Sequence, residues 1–128
     1  QQIFKDQNDF RLFIGPEELL GETLVLGGHG GVCGGGNLIP ELYVELYEKS
    51  IEGDFKKMGI LHERIMQIST TIYSVGKYKS SYLKGLKCSL ALMGICDDFM
   101  AEPFHRFRVS ERNVIRQYLI DLGLSPVN

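Results

Sequence analysis

Three cysteines and three histidines are among the side chains of this 128-residue chain that could act as nucleophiles or bind a metal. Cys33 stands four positions after His29. A nucleophilic thiol needs a base beside it, and the sequence identifies none, so we predict no catalytic Cys–His pair. The three histidines lack the short spacing of metal ligands, and we predict no metal site from them. These histidines are His29, His62 and His105.

Glycine is concentrated in one segment, residues 27–36, where seven of ten positions are glycine. Glycine within a strand often marks the close approach of a ligand or of another backbone. A phosphate-binding loop is the rival interpretation, but no lysine follows in the Walker arrangement. We therefore favour close approach of a substrate over phosphate binding.

An acidic pair, Glu17 and Glu18, follows a short apolar stretch closed by Gly15 and Pro16. Each carboxylate offers two acceptor oxygens, which suits a ligand that carries hydroxyl groups. Negative charge at the start of a helix also complements the helix dipole, without any role in binding. Both interpretations remain open from the residues alone.

These residues lie within an alternating pattern of strands and helices. Residues 10–14 and 30–34 are predicted strands, and each leads into a predicted helix, the second of which starts at Pro40 and ends at Gly53. Strand, helix, strand, helix is the βα repeat of a parallel sheet. Parallel strands are buried on both faces, so two of them require further strands, from a barrel or from a partner chain.

The rest of the chain is predicted to be helical. Apolar residues recur every three or four positions within 55–75, 82–93 and 110–122, with Ser110 as the expected N-cap of the last helix. The three cysteines are Cys33, Cys88 and Cys96, and their odd number without a C-x-x-C pair favours a reducing cytoplasm over a disulfide framework.

The overall composition excludes several classes of function. Apolar residues make up 44% of the chain, enough for a packed core, and the formal net charge is −2. A nucleic-acid or membrane-surface partner would need a basic patch. No apolar run is long enough to span a bilayer. We expect neither nucleic acid nor membrane as a partner.

Several segments together resemble one enzyme family. They are Phe10–Glu18, Leu26–Val32, Asn37–Pro40, Leu83–Lys87 and Leu92–Gly94. Their order and spacing resemble the seventh and eighth βα units and the C-terminal helices of the dihydrodipicolinate synthase and N-acetylneuraminate lyase family. The Gly-Leu-Lys run within Leu83–Lys87 is more similar to the lyase branch.

The resemblance implies an α/β fold, with the last two βα units of a TIM (β/α)8 barrel over residues 1–53 and a three-helix extension over residues 54–128. It implies a class I aldolase or lyase acting on pyruvate or another 2-oxo acid, without a separate cofactor. The lysine that forms the imine, and a proton-shuttling tyrosine, are expected upstream of Gln1. Lys84 and Lys87 do not replace that lysine, because chemistry in these barrels lies at the strand ends.

The resemblance also implies a substrate-binding wall and an assembly. The matching positions for substrate contact are Gly15, Glu17, Glu18, Cys33 and Gly34, with Gly34 where relatives often carry a serine. This chain alone is expected to be inactive, and the whole protein to be a homotetramer. The alternative is a non-catalytic oligomerisation or regulatory module derived from the same fold.

Overall fold

The computed structural model describes residues 9–127, in two units that meet in sequence between Ile65 and Met66. The sequence also predicts that residues 1–5 end a helix, and this prediction lies outside the described residues. The first unit holds a short parallel sheet and its helices, and the second unit is helical. This order agrees with the α/β pattern predicted from the sequence.

The sheet consists of two parallel strands, β1 (Phe13–Ile14) and β2 (Gly30–Gly31). Phe13 lies opposite Gly30, and Ile14 lies opposite Gly31. The predicted strands 10–14 and 30–34 were therefore too long. The N–H of Leu12 donates to the side chain of His29 instead of a main-chain carbonyl, and after Cys33 the chain turns into a 3-10 helix, Gly34–Asn37.

Each strand leads into helical structure. After β1, a 3-10 helix, Glu17–Leu19, continues directly into α1 (Leu20–Val25), and after β2 the glycine turn Gly34–Asn37 precedes α2 (Pro40–Glu52). The sequence-based start and end of α2 are confirmed, with Pro40 in its first turn and Gly53 left-handed at φ 77°. Helix α1 packs on α2. The buried leucines of the two helices are Leu20, Leu24, Leu42 and Leu46.

Helix α3 spans Phe55–Thr70, five residues shorter than the predicted range 55–75. The hydroxyls of Thr70 and Thr71 donate to carbonyls one turn back, and a 3-10 helix, Ile72–Ser74, continues the chain. Side chains that bond back to the main chain in this way compete with regular helix geometry. The predicted apolar stripe is buried at Leu61, Ile65, Ile68 and Ile72.

The second unit contains α4 (Ser81–Leu92) and α5 (Val109–Asp121), which pack on each other. Helix α4 also packs on the 3-10 helix Ile72–Ser74. The predicted N-cap at Ser110 was wrong, because the N-cap of α5 is Arg108, two residues earlier. Glu111 then occupies the third helical position, and its carboxylate accepts the Arg108 N–H at 3.1 Å. Among residues 9–127, no helix combines the length and the apolar character that a membrane span requires.

Candidate functional site

The acidic residue Glu17 lies at the centre of the candidate site, at the start of the 3-10 helix that follows β1. Its side chain is buried, with 3% of the residue exposed. The Tyr43 hydroxyl donates to Oε1 and the Gly35 N–H donates to Oε2, each over 2.8 Å. One carboxylate therefore fastens three segments: the turn after β1, the glycine turn after β2, and the first turn of α2.

These two hydrogen bonds explain how the carboxylate can be buried. A charged group without partners is costly to remove from water, whereas a carboxylate that accepts short hydrogen bonds is stabilised. Both donors here are neutral groups, an amide and a phenol. The Glu17 side chain is thus engaged within the chain, an arrangement that neither of the two sequence-based interpretations described.

Hydrogen bonds to the carbonyls of Gly34 and Gly35 stabilise the glycine turn. The Asn37 side-chain amide donates to the Gly34 carbonyl at 2.9 Å. The Leu38 and Ile39 N–H groups both donate to the Gly35 carbonyl, at 2.9 and 3.0 Å. Gly34 remains partly exposed, while Gly35 is buried. These hydrogen bonds give the turn a defined structure, in which Gly34 is partly exposed.

Cys33 immediately precedes this turn and is partly buried. Burial first, and then the charges of Glu17 and Glu18, raise the pKa of the Cys33 thiol from 9.0 to about 11. The thiol is therefore protonated at neutral pH, unlike a catalytic cysteine. His29 uses its Nδ1 atom to accept the Leu12 N–H at 2.9 Å, so its ring is engaged with the main chain.

The structure brings three of the five predicted wall residues together. Glu17, Cys33 and Gly34 lie together around the glycine turn, and Cys33 lines an open cleft with Tyr43 and Tyr47. The charge of Glu18 reaches Cys33, but its side chain lines a second cleft. Gly15 is exposed, and a Cβ atom there would meet nothing within 4 Å.

Tyr43 is the partner of Glu17 that the sequence pattern did not single out. It is 6% exposed and bonds to an acid 26 positions earlier in the chain. The available signal was its position on the buried face of α2, because a buried tyrosine hydroxyl usually finds a hydrogen-bond partner. Among residues 9–127, no group of three or more histidine, cysteine or acidic side chains is arranged to hold a metal ion.

Comparison with known proteins decides the family. The model of the dihydrodipicolinate synthetase family matches residues 1–121. The chain belongs to this family. A dihydrodipicolinate synthase structure from Bacteroides thetaiotaomicron superposes with a TM-score of 0.92 at 51% identity, over 94% of this chain and 40% of that one. The resemblance inferred from the sequence is confirmed.

Relatives with lower sequence identity belong to the same family. A 4-hydroxy-tetrahydrodipicolinate synthase of Methanopyrus kandleri is 28% identical over 124 residues, which are 97% of this chain and 40% of that protein. A prophage protein of Escherichia coli K12 from the same family, solved in complex with pyruvate, shares the fold with a TM-score of 0.78 at 24% identity, over 91% of this chain and 38% of that one. The chain thus spans about 40% of the length of the relatives it matches.

Proposed function

We propose that this chain is the C-terminal part of a Schiff-base lyase of the dihydrodipicolinate synthase and N-acetylneuraminate lyase family that acts on 2-oxo acids. Residues 1–53 would form the last two βα units of its (β/α)8 barrel, and residues 54–128 its helical extension. The observation that carries the proposal is the parallel pair β1–β2, whose C-terminal ends lead into turns joined by Glu17. The family match supports the reaction class.

The proposed site lies at the C-terminal ends of the strands, where barrel enzymes of this kind bind substrate. Gly15, Glu17 and Glu18 follow β1, and Cys33 and Gly34 follow β2. We propose that they form or support the wall around the distal end of the 2-oxo acid. The pyruvate complex of the E. coli relative supports this substrate class. The imine-forming lysine would come from a strand upstream of Gln1, and the reaction needs no separate cofactor.

Trapping of the imine tests this proposal. The complete protein encoded by the gene is incubated with pyruvate and sodium borohydride, and its intact mass and peptide map are measured. We expect one reduced pyruvate adduct, a carboxyethyl group on the amine of a lysine that precedes Gln1. The 128-residue chain alone should form no adduct. An adduct on Lys84 or Lys87 of the chain alone would contradict the proposal.

The assembly and the alternative are tested with the same material. We propose a homotetrameric cytoplasmic enzyme, without nucleic acid or membrane partners, in which further barrel strands cover β1 and β2. Light scattering of the complete protein checks the tetramer. If the complete protein forms oligomers but traps no pyruvate, and its gene encodes no lysine-bearing strand before Gln1, the non-catalytic module is the better description.

A further inference from the structure

Glu17 cannot direct both of its oxygens at a substrate while it holds Tyr43 and Gly35. Its carboxylate is buried and the two hydrogen bonds are each 2.8 Å long. An exchange of either partner for a substrate hydroxyl would break one of the two short hydrogen bonds that this buried carboxylate accepts, which is costly. The most direct effect of Glu17 is therefore on the position of the glycine turn.

Tyr43 holds the other oxygen of the Glu17 carboxylate, and so also bears on the position of the glycine turn. Its hydroxyl is the donor to Oε1, its ring lines the same cleft as Cys33, and α2 holds its backbone one turn after Pro40. A helix is a rigid support, whereas a glycine-rich turn has many accessible conformations. The phenol therefore fixes the carboxylate, and the carboxylate fixes the N–H of Gly35, the residue next to Gly34.

We propose that Tyr43 is a positioning residue, which acts through Glu17 on the glycine turn Gly34–Asn37 and so sets which distal ends of 2-oxo acids the wall accepts. This inference rests on the proposed function for its substrate class. Pyruvate has only a methyl group beyond its carbonyl and should be insensitive to the turn. A longer, hydroxylated 2-oxo acid should be sensitive to it.

The test compares Tyr43→Phe with Tyr47→Phe in the complete protein. Both changes remove one phenolic oxygen from the same cleft of α2, but only Tyr43 bonds to Glu17. Borohydride trapping is measured with pyruvate and with 2-keto-3-deoxygluconate. For Tyr43→Phe we expect pyruvate trapping within twofold of wild type and a change of about tenfold in the ratio of the two acids, the effect of one hydrogen bond to a charged group. Tyr47→Phe should leave the ratio within twofold.

A double variant that also changes Glu17 shows whether Tyr43 acts through Glu17. Tyr43→Phe made on top of Glu17→Ala should change the ratio less than twofold, because the acceptor through which it acts is gone. Independent effects of the two changes would overturn the inference. So would an equal loss on both acids, or an effect of Tyr47→Phe as large as that of Tyr43→Phe.

Amide hydrogen exchange separates this inference from the proposed function. The exchange rate at Gly35 should rise about tenfold or more in Tyr43→Phe and stay unchanged in Tyr47→Phe, whether or not the protein binds a 2-oxo acid. If wild type traps no pyruvate, the proposed function fails and exchange alone decides the positioning role. If Gly35 exchanges equally in wild type and Tyr43→Phe, the positioning role is wrong even in an active enzyme.

Discussion

The imidazole Nδ1 of His29 accepts a hydrogen bond from the main-chain N–H of Leu12 over 2.9 Å, across the start of the parallel strand pair. The main-chain N–H of His29 donates in turn to the Leu12 carbonyl at 2.8 Å. His29 thus binds both polar groups of the Leu12 backbone, one with its ring and one with its main chain. This side-chain bond takes the place of a strand ladder bond just before β1.

Replacing His29 should loosen this end of the sheet. In His29→Ala the Leu12 N–H loses its acceptor, and we expect the free energy of unfolding to fall by about 0.5–1.5 kcal/mol, nearer the lower end because the bond is exposed. His29→Asn is the matched control, since its Oδ1 lies close to the position of the imidazole Nδ1. Hydrogen exchange at Leu12 should be faster in His29→Ala than in His29→Asn. Equal exchange in both variants would show that the ring does not hold the strand.

The raised pKa of the Cys33 thiol predicts that its alkylation is slow and depends on pH. Because burial and the charges of Glu17 and Glu18 disfavour the thiolate, alkylation by iodoacetamide should be slow at pH 8 and accelerate toward pH 11. Glu18→Gln removes one of these charges and should speed alkylation of Cys33 at pH 9. Peptide mass spectrometry measures the rate, with the exposed Cys96 as internal reference. An unchanged rate in Glu18→Gln would contradict the electrostatic cause.

The same shift links Cys33 to stability at high pH. The folded pKa of about 11 lies above the unfolded value of 9.0, so between these pH values the unfolded chain loses its proton first. Stability from this group is complete below pH 9 and is lost as pH rises toward 11. Denaturation curves at several pH values should therefore show a smaller alkaline loss in Cys33→Ala than in wild type. An equal loss would mean that the thiol ionises alike in both states.

In the second unit, two arginines pair with Asp98, and we expect one of them to contribute much more to the free energy of unfolding than the other. Asp98 is buried, and Arg112 donates to it at 2.7 Å, whereas Arg106 is 3.5 Å away and has a 66% exposed side chain. Arg112→Ala should lower the free energy of unfolding by about 1–3 kcal/mol, since it leaves a buried charged group poorly paired. Arg106→Ala should cost about 0–1 kcal/mol, as exposed ion pairs do. Chemical denaturation of both variants checks this order, and similar losses would contradict it.

Local signals in the sequence predicted the elements better than the site. Pro40 and Gly53 define α2 because their effects on the backbone are local, and they predicted its ends correctly. The bonds of Glu17 reach across 18 and 26 positions, so only the folded chain could show that its carboxylate is buried. The pattern around Glu17 was the same for a ligand-binding acid and for a helix-start acid.

The predicted ends of α3 and α5 differ from the observed ends by a few residues. The apolar stripe of α3 continues to Ile72, and periodicity alone predicted a helix as far as residue 75. The threonine hydroxyls that bond back at Thr70 and Thr71 are not visible in a hydrophobic pattern. At α5 the carboxylate of Glu111 accepts the Arg108 N–H, a contact that the hydrophobic pattern does not show either.

Gly85 allows a close contact of α4 that only the packing of this helix shows. A Cβ atom at Gly85 would overlap the Ile72 carbonyl oxygen, a main-chain atom of the 3-10 helix against which α4 packs. Gly85→Ala would force these two elements apart. We expect it to lower the free energy of unfolding by about 1–3 kcal/mol, the usual cost of overpacking, in spite of the better helix propensity of alanine.

Gly59 in α3 is the matched control for Gly85. It is exposed, and a Cβ atom there would meet nothing within 4 Å. Gly59→Ala should therefore raise the free energy of unfolding by about 0.5–1 kcal/mol, since alanine favours the helix and nothing opposes it. Urea denaturation of the two variants should give effects of opposite sign. If both variants were stabilised, α4 would have room to move away from Ile72, and the close approach at Gly85 would not be a requirement of the fold.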